Sequence, residues 1–118
     1  MRTQVLPTKF HAFEDYTTAA TLPVLPRAFG WSRTVRSLFD AAAATAVVQS
    51  LLTDYEGGAA RVLPMRGHLT ADVVIGAGFL AAAAALRREP PLARVALAGF
   101  GAYAIVLALL TRPRPADR

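Results

Sequence analysis

The chain has 118 residues, of which 54% are hydrophobic and 18% charged, against about 25% charged in an average soluble domain. Thirteen Lys and Arg against eight Asp and Glu leave a net charge of +5. This composition excludes a disordered chain, which needs low hydrophobicity. The absence of Cys excludes a disulfide scaffold and cysteine-based zinc or redox chemistry. A membrane protein and a soluble all-helical bundle both remain open.

The first predicted helix covers about 10–27 and begins FHAFEDYTTAATLPVLP. It carries His11, Glu14 and Asp15 in its first turns and Pro23 and Pro26 in its short apolar part. Alone it reads as an amphipathic surface helix. The second, about 35–53, is apolar apart from Asp40 and Gln49. The third, about 68–87, has a single charge between Leu69 and Leu86, at Asp72. The fourth, about 92–111, has none from Val95 to Thr111. The last two are long enough to cross a bilayer, and neither has the polar stripe that a soluble helix of this length shows. RREPPLAR, residues 87–94, makes the tight turn between them.

An internal repeat extends this reading to the first half. QVLPTKFH at 4–11 matches RVLPMRGH at 61–68, pairing Val5 with Val62, Leu6 with Leu63, Pro7 with Pro64 and His11 with His68. Asp15 and Asp72 fall at the same spacing. AVVQSLLT at 46–53 then matches AIVLALLT at 104–111, and Arg36 aligns with Arg94. The expected architecture is therefore all-α and a single domain over 1–118. It is a four-transmembrane-helix bundle made of two parallel helical-hairpin repeats, about 4–57 and 61–114. Two helices per repeat give both halves one orientation, with the pseudo-two-fold axis along the membrane normal. Both termini and the link 54–67 then lie on one side, for which the cytoplasmic side is preferred.

The basic residues divide evenly between the two faces. Arg2, Lys9, Arg61, Arg66, Arg112, Arg114 and Arg118 fall on the side of the termini. Arg27, Arg33, Arg36, Arg87, Arg88 and Arg94 fall on the hairpin side. Such a split suits anionic headgroups at both surfaces rather than nucleic acid. The first ten residues hold no apolar core of a cleavable signal peptide. Dense small residues, such as Ala41–Ala44, Gly76 and Gly101, suit close helix packing, within the bundle or in a homo-oligomer or larger membrane complex.

His11, Asp15 and Tyr16 form a His-x-x-x-Asp-Tyr pattern opening a helix, and residues 51–72 read LLTDYEGGAARVLPMRGHLTAD. In these features the chain resembles small bacterial membrane proteins of the SPW-repeat type. The resemblance implies two-helix hairpin repeats and carries no assigned activity or catalytic residue. In place of Ser-Pro-Trp the chain has LPRAFGWS at 25–32 and REPP at 88–91.

Ionisable groups at membrane depth cost roughly 2.5–3.5 kcal/mol each on insertion scales and are functional candidates for that reason. The strongest are His11 and Asp15 with their copies His68 and Asp72. A spacing of four puts His and Asp on one helical face, about 5–6 Å apart at Cβ. Converging across the pseudo-two-fold, they would suit a transition metal or a proton relay. Near a helix start, they would instead serve the free backbone N–H groups and the dipole. Arg36 and Asp40 are expected to pair across one turn. Glu14 is expected to meet Lys9 or water. Tyr55 and Trp31 read as aromatic-belt residues, and Asp54, Tyr55 and Glu56 as a helix exit that could dock a partner. Walker, Rossmann, nucleophile-elbow and HExxH patterns are absent. No particular cofactor is indicated. The expected role is structural or accessory in the membrane, with a proton, ion or metal site as the alternative and no enzymatic activity favoured.

Overall fold

A computed structural model describes residues 3–115, so that Arg2 and Arg118 lie outside the described residues. The chain forms α1 (Thr8–Thr21), α2 (Val24–Ala28), α3 (Arg33–Leu52), α4 (Met65–Ala85) and α5 (Pro91–Leu110). There are no strands among the described residues, only two isolated bridges, Leu6 with Thr111 and Thr53 with Leu63. Each long helix opens where its sequence permits. Ser32 caps α3 by accepting from the Val35 N–H. Pro7, Pro64 and Pro90 precede α1, α4 and α5 in extended geometry.

The expected continuous helix 10–27 is interrupted. Pro23 has no N–H to donate and its ring crowds the preceding turn, so α1 stops at Thr21 and α2 begins at Val24. Fourteen residues rise about 21 Å, less than the roughly 30 Å hydrocarbon core. Three helices, α3, α4 and α5, are long and apolar enough to cross a membrane. Large apolar side chains face outward, among them Val48, Val74, Val95, Val106 and Leu109.

Two clusters fill the interior. At the end where α2 turns into α3, Trp31, Val35, Phe39, Phe79, Ala93 and Leu97 pack together. Trp31 is buried there, stacked on Phe29 at 5.1 Å and Phe39 at 6.5 Å, and is not a surface belt residue. Asp40 also departs from expectation. The turn at Pro23 swings Arg27 across to α3, where its guanidinium donates to both Asp40 oxygens at 2.7 Å. That bidentate pair takes the carboxylate expected to serve Arg36. At the other end, Ala12, Tyr55, Met65, Leu69 and Ala108 form the second cluster. Between the clusters, α4 and α5 meet at two glycines: a Cβ on Gly101 would lie 2.5 Å from the Gly76 carbonyl oxygen.

Candidate metal centre

The second cluster surrounds four polar side chains. His11 and Asp15 come from α1, His68 and Asp72 from α4, each pair one turn apart and facing inward. The histidines are almost wholly buried, and Asp15 and Asp72 keep side-chain exposures of only 12% and 17%. His11 Nε2 lies 3.2 Å from Asp15 and 3.0 Å from Asp72. His68 Nε2 lies 3.1 Å from Asp15 and 3.3 Å from Asp72. Each carboxylate thus reaches the imidazole of its own helix and that of the other, and the imidazole rings meet edge to face at 5.1 Å.

Local bonds determine which ring nitrogen is free. Thr111 Oγ1 donates to the Leu107 carbonyl and Thr53 Oγ1 donates to the Gln49 carbonyl, both at 2.6 Å. A hydroxyl has one proton, so each threonine oxygen can only accept from histidine. His11 Nδ1 therefore donates to Thr111 at 2.8 Å, and His68 Nδ1 donates to Thr53 at 2.7 Å. Neutral imidazoles in this tautomer aim a lone pair from Nε2 toward the carboxylates. Two ionised carboxylates and two neutral imidazoles carry a charge of −2, which one divalent cation or one proton on each Nε2 would neutralise.

The distances suit either: His11 Nε2 is within hydrogen-bond distance of Asp72 Oδ2, at 3.0 Å. The four ligand atoms all lie within 4.8 Å of one another. A tetrahedral ion with bonds of about 2.0–2.1 Å needs ligand atoms about 3.3–3.4 Å apart; Asp72 Oδ2 lies 3.0 and 3.3 Å from the two imidazole nitrogens, and Asp15 offers a different oxygen to each, at 3.2 and 3.1 Å. His68 Nε2 is buried and forms no hydrogen bond, with carboxylate oxygens of Asp15 and Asp72 3.1 and 3.3 Å away. A metal ion among these atoms would use the lone pair.

Neutral donors hold the carboxylates from outside. Gln49 Nε2 donates to Asp72 Oδ1 at 2.9 Å, and the Tyr55 hydroxyl donates to Asp15 Oδ2 at 2.7 Å. Tyr55 is fully buried against His68, which corrects its reading as a belt residue. Burial and the Asp15 charge push its pKa up, so the hydroxyl stays a donor. Glu56 accepts from Thr8 Oγ1 and tethers the link to the start of α1. The Asp54 N–H donates to the Leu63 carbonyl at 2.8 Å. Glu14 accepts from the Tyr103 hydroxyl at 2.6 Å, a partner 89 residues away that spacing on one helix cannot reveal. Neither α1 nor α4 is capped by a side chain. His11 and His68 point instead into the cluster.

Thr53→Val keeps the side-chain shape and removes the oxygen that orients His68. Loss of such an outer partner weakens metal binding about 10–100-fold. A cobalt titration of the variant beside the unaltered chain checks this. No family model, curated protein or solved structure matches this chain.

Proposed function

We propose that the chain is a small integral membrane protein whose structural role rests on a divalent transition-metal ion held by His11, Asp15, His68 and Asp72. The carrying observation is the convergence of four ligand atoms, one of them a buried imidazole nitrogen with no hydrogen-bond partner. Two imidazoles and two carboxylates suit Zn²⁺, Fe²⁺, Co²⁺ or Mn²⁺ rather than a soft ion. Four protein ligands fill a tetrahedral shell, as in sites that hold structure, where catalytic sites keep a position open. The ion would clamp α1 to α4 and so join the two halves of the chain.

A parallel repeat, with α1–α3 answering α4–α5, accounts for the paired features at this end. Leu6 N–H donates to the Leu110 carbonyl and Leu6 O accepts from Arg112, as Leu63 does with Leu52 and Asp54. The His11–Thr111 and His68–Thr53 bonds correspond in the same way. On this reading the chain is of the SPW-repeat kind, α1 and α2 together make a kinked fourth span, and both termini share the cytoplasmic side. Its cations then meet anionic headgroups on both faces.

The test is addition of Co²⁺ to the full chain in detergent micelles. One ion per chain with the intense visible bands of a tetrahedral site is expected. Absence of any bound cobalt would exclude the clamp.

A further inference from the structure

Arg66 stands in the first turn of α4, on the side of the termini, and lines two cavities. One, of about 390 Å³, lies at the end of the bundle beside Pro64, Asp54 and Arg114. The other, of about 370 Å³, follows Leu69 and Val73 of α4 against Ala108 and Leu109 of α5, over about two helical turns. Pro113 also borders both, so the two cavities adjoin. Arg66, Arg114 and Leu109 are exposed. Among the described residues, neither arginine forms an ion pair. Two guanidiniums and one carboxylate, Asp54, thus line the joined space, and the surplus charge is positive. The other half of the chain supplies a comparison. Lys9 stands 57 residues before Arg66, and its groove on α1 is bordered by Ala12, Phe13, Tyr16 and Glu56. There one cation meets one carboxylate and no surplus remains.

Resting on the reading of the chain as a membrane protein, we infer that the joined cavities bind one anionic phospholipid. Its phosphate lies between Arg66 and Arg114, and an acyl chain lies in the groove between α4 and α5. A guanidinium presents a planar fork of N–H donors that matches two phosphate oxygens. The first turn of a span stands at headgroup depth, where basic pockets between helices hold anionic headgroups. Below Arg66 the groove wall is apolar, formed by Leu69, Val73 and Leu109. A free phosphate ion would gain nothing from that wall, so the site selects an amphiphile over a soluble anion. The α1 groove offers a similar wall without the surplus cation and has no preference for a negative headgroup.

The experiment is native mass spectrometry of the full chain, released from detergent micelles that hold equal amounts of phosphatidylglycerol and phosphatidylcholine with the same acyl chains. One phosphatidylglycerol retained per chain, in preference to phosphatidylcholine, is expected. Arg66→Gln and Arg114→Gln should each cut that retention at least about tenfold, as loss of hydrogen bonds to a charged group does, while Lys9→Gln leaves it within about twofold. Both arginines are exposed, so their replacement spares the core, which circular dichroism of the variants checks. An excess of glycerophosphoglycerol, the headgroup without acyl chains, should not displace the lipid. Equal retention of the two lipids, an equal loss in Lys9→Gln and Arg66→Gln, or displacement by the free headgroup would each overturn the site while leaving the chain in the membrane. A chain recovered in the soluble fraction of lysed cells without detergent would overturn the membrane reading and the site together.

Discussion

His68→Ala is expected to weaken divalent-metal binding by more than about 100-fold, beyond the loss of an outer partner. His68 supplies one of four ligands, and its Nε2 lies near both carboxylates at 3.1 and 3.3 Å. Alanine leaves three ligands and a gap beside Tyr55, with Asp15 and Asp72 less well neutralised. The clamp between α1 and α4 fails at the same time, because an ion that binds only the folded chain stabilises it by mass action. Melting in detergent with and without Zn²⁺ separates the two effects. The unaltered chain should gain thermal stability from zinc, and the variant should gain almost none. An equal gain in both would place the zinc elsewhere.

Gly101→Leu has the largest expected effect away from the centre. The added Cβ would lie 2.5 Å from the Gly76 carbonyl oxygen and 3.1 Å from the Leu80 nitrogen. Both obstacles are backbone, so no side-chain rotation relieves them and α4 and α5 must part. Overpacking of this kind costs about 1–3 kcal/mol. In lipid the cost is felt strongly, since close packing of small residues is what holds the helices together. Gly78→Leu is the control, because nothing lies within 4 Å of a Cβ there. Thermal unfolding of the two variants in one detergent checks the contrast: Gly101→Leu should melt well below the unaltered chain and Gly78→Leu close to it.

The sequence carried the centre more legibly than the bundle around it. The spacing of 57 that relates His11 to His68 and Asp15 to Asp72 was visible, because histidine, aspartate and proline are rare enough in an apolar chain for their recurrence to register. Thr53 and Thr111 sat in the second matched block, yet their role was not. It depends on contact between residues 15 and 100 positions apart, and nothing local marks a threonine as an imidazole's acceptor. Gln49 was visible as a polar residue within a span but without a partner. Residue type alone points Tyr55 and Trp31 to the interface, whereas tertiary packing buries both. The break at Pro23 was written in the proline itself. The repeat argued for a continuous helix there, and local backbone sterics prevailed. Arg27 thereby came within reach of Asp40, which helical spacing had assigned to Arg36.

Two features of the centre do not follow the repeat. Asp72 is held by Gln49 from α3, while Asp15 is held by Tyr55 from the link. Glu14 accepts from Tyr103 beside the centre, and Ala71 and Thr45 occupy the matching positions. The four candidate ligands are paired and their surroundings are not.

The most direct measurement is an anomalous-difference map from crystals of the full chain grown with Zn²⁺, recorded on both sides of the zinc absorption edge. The account predicts one peak per chain among His11 Nε2, His68 Nε2 and the Asp15 and Asp72 carboxylates, with bonds of about 2.0–2.2 Å. Fully ordered side chains at these four positions and no peak between them would contradict it.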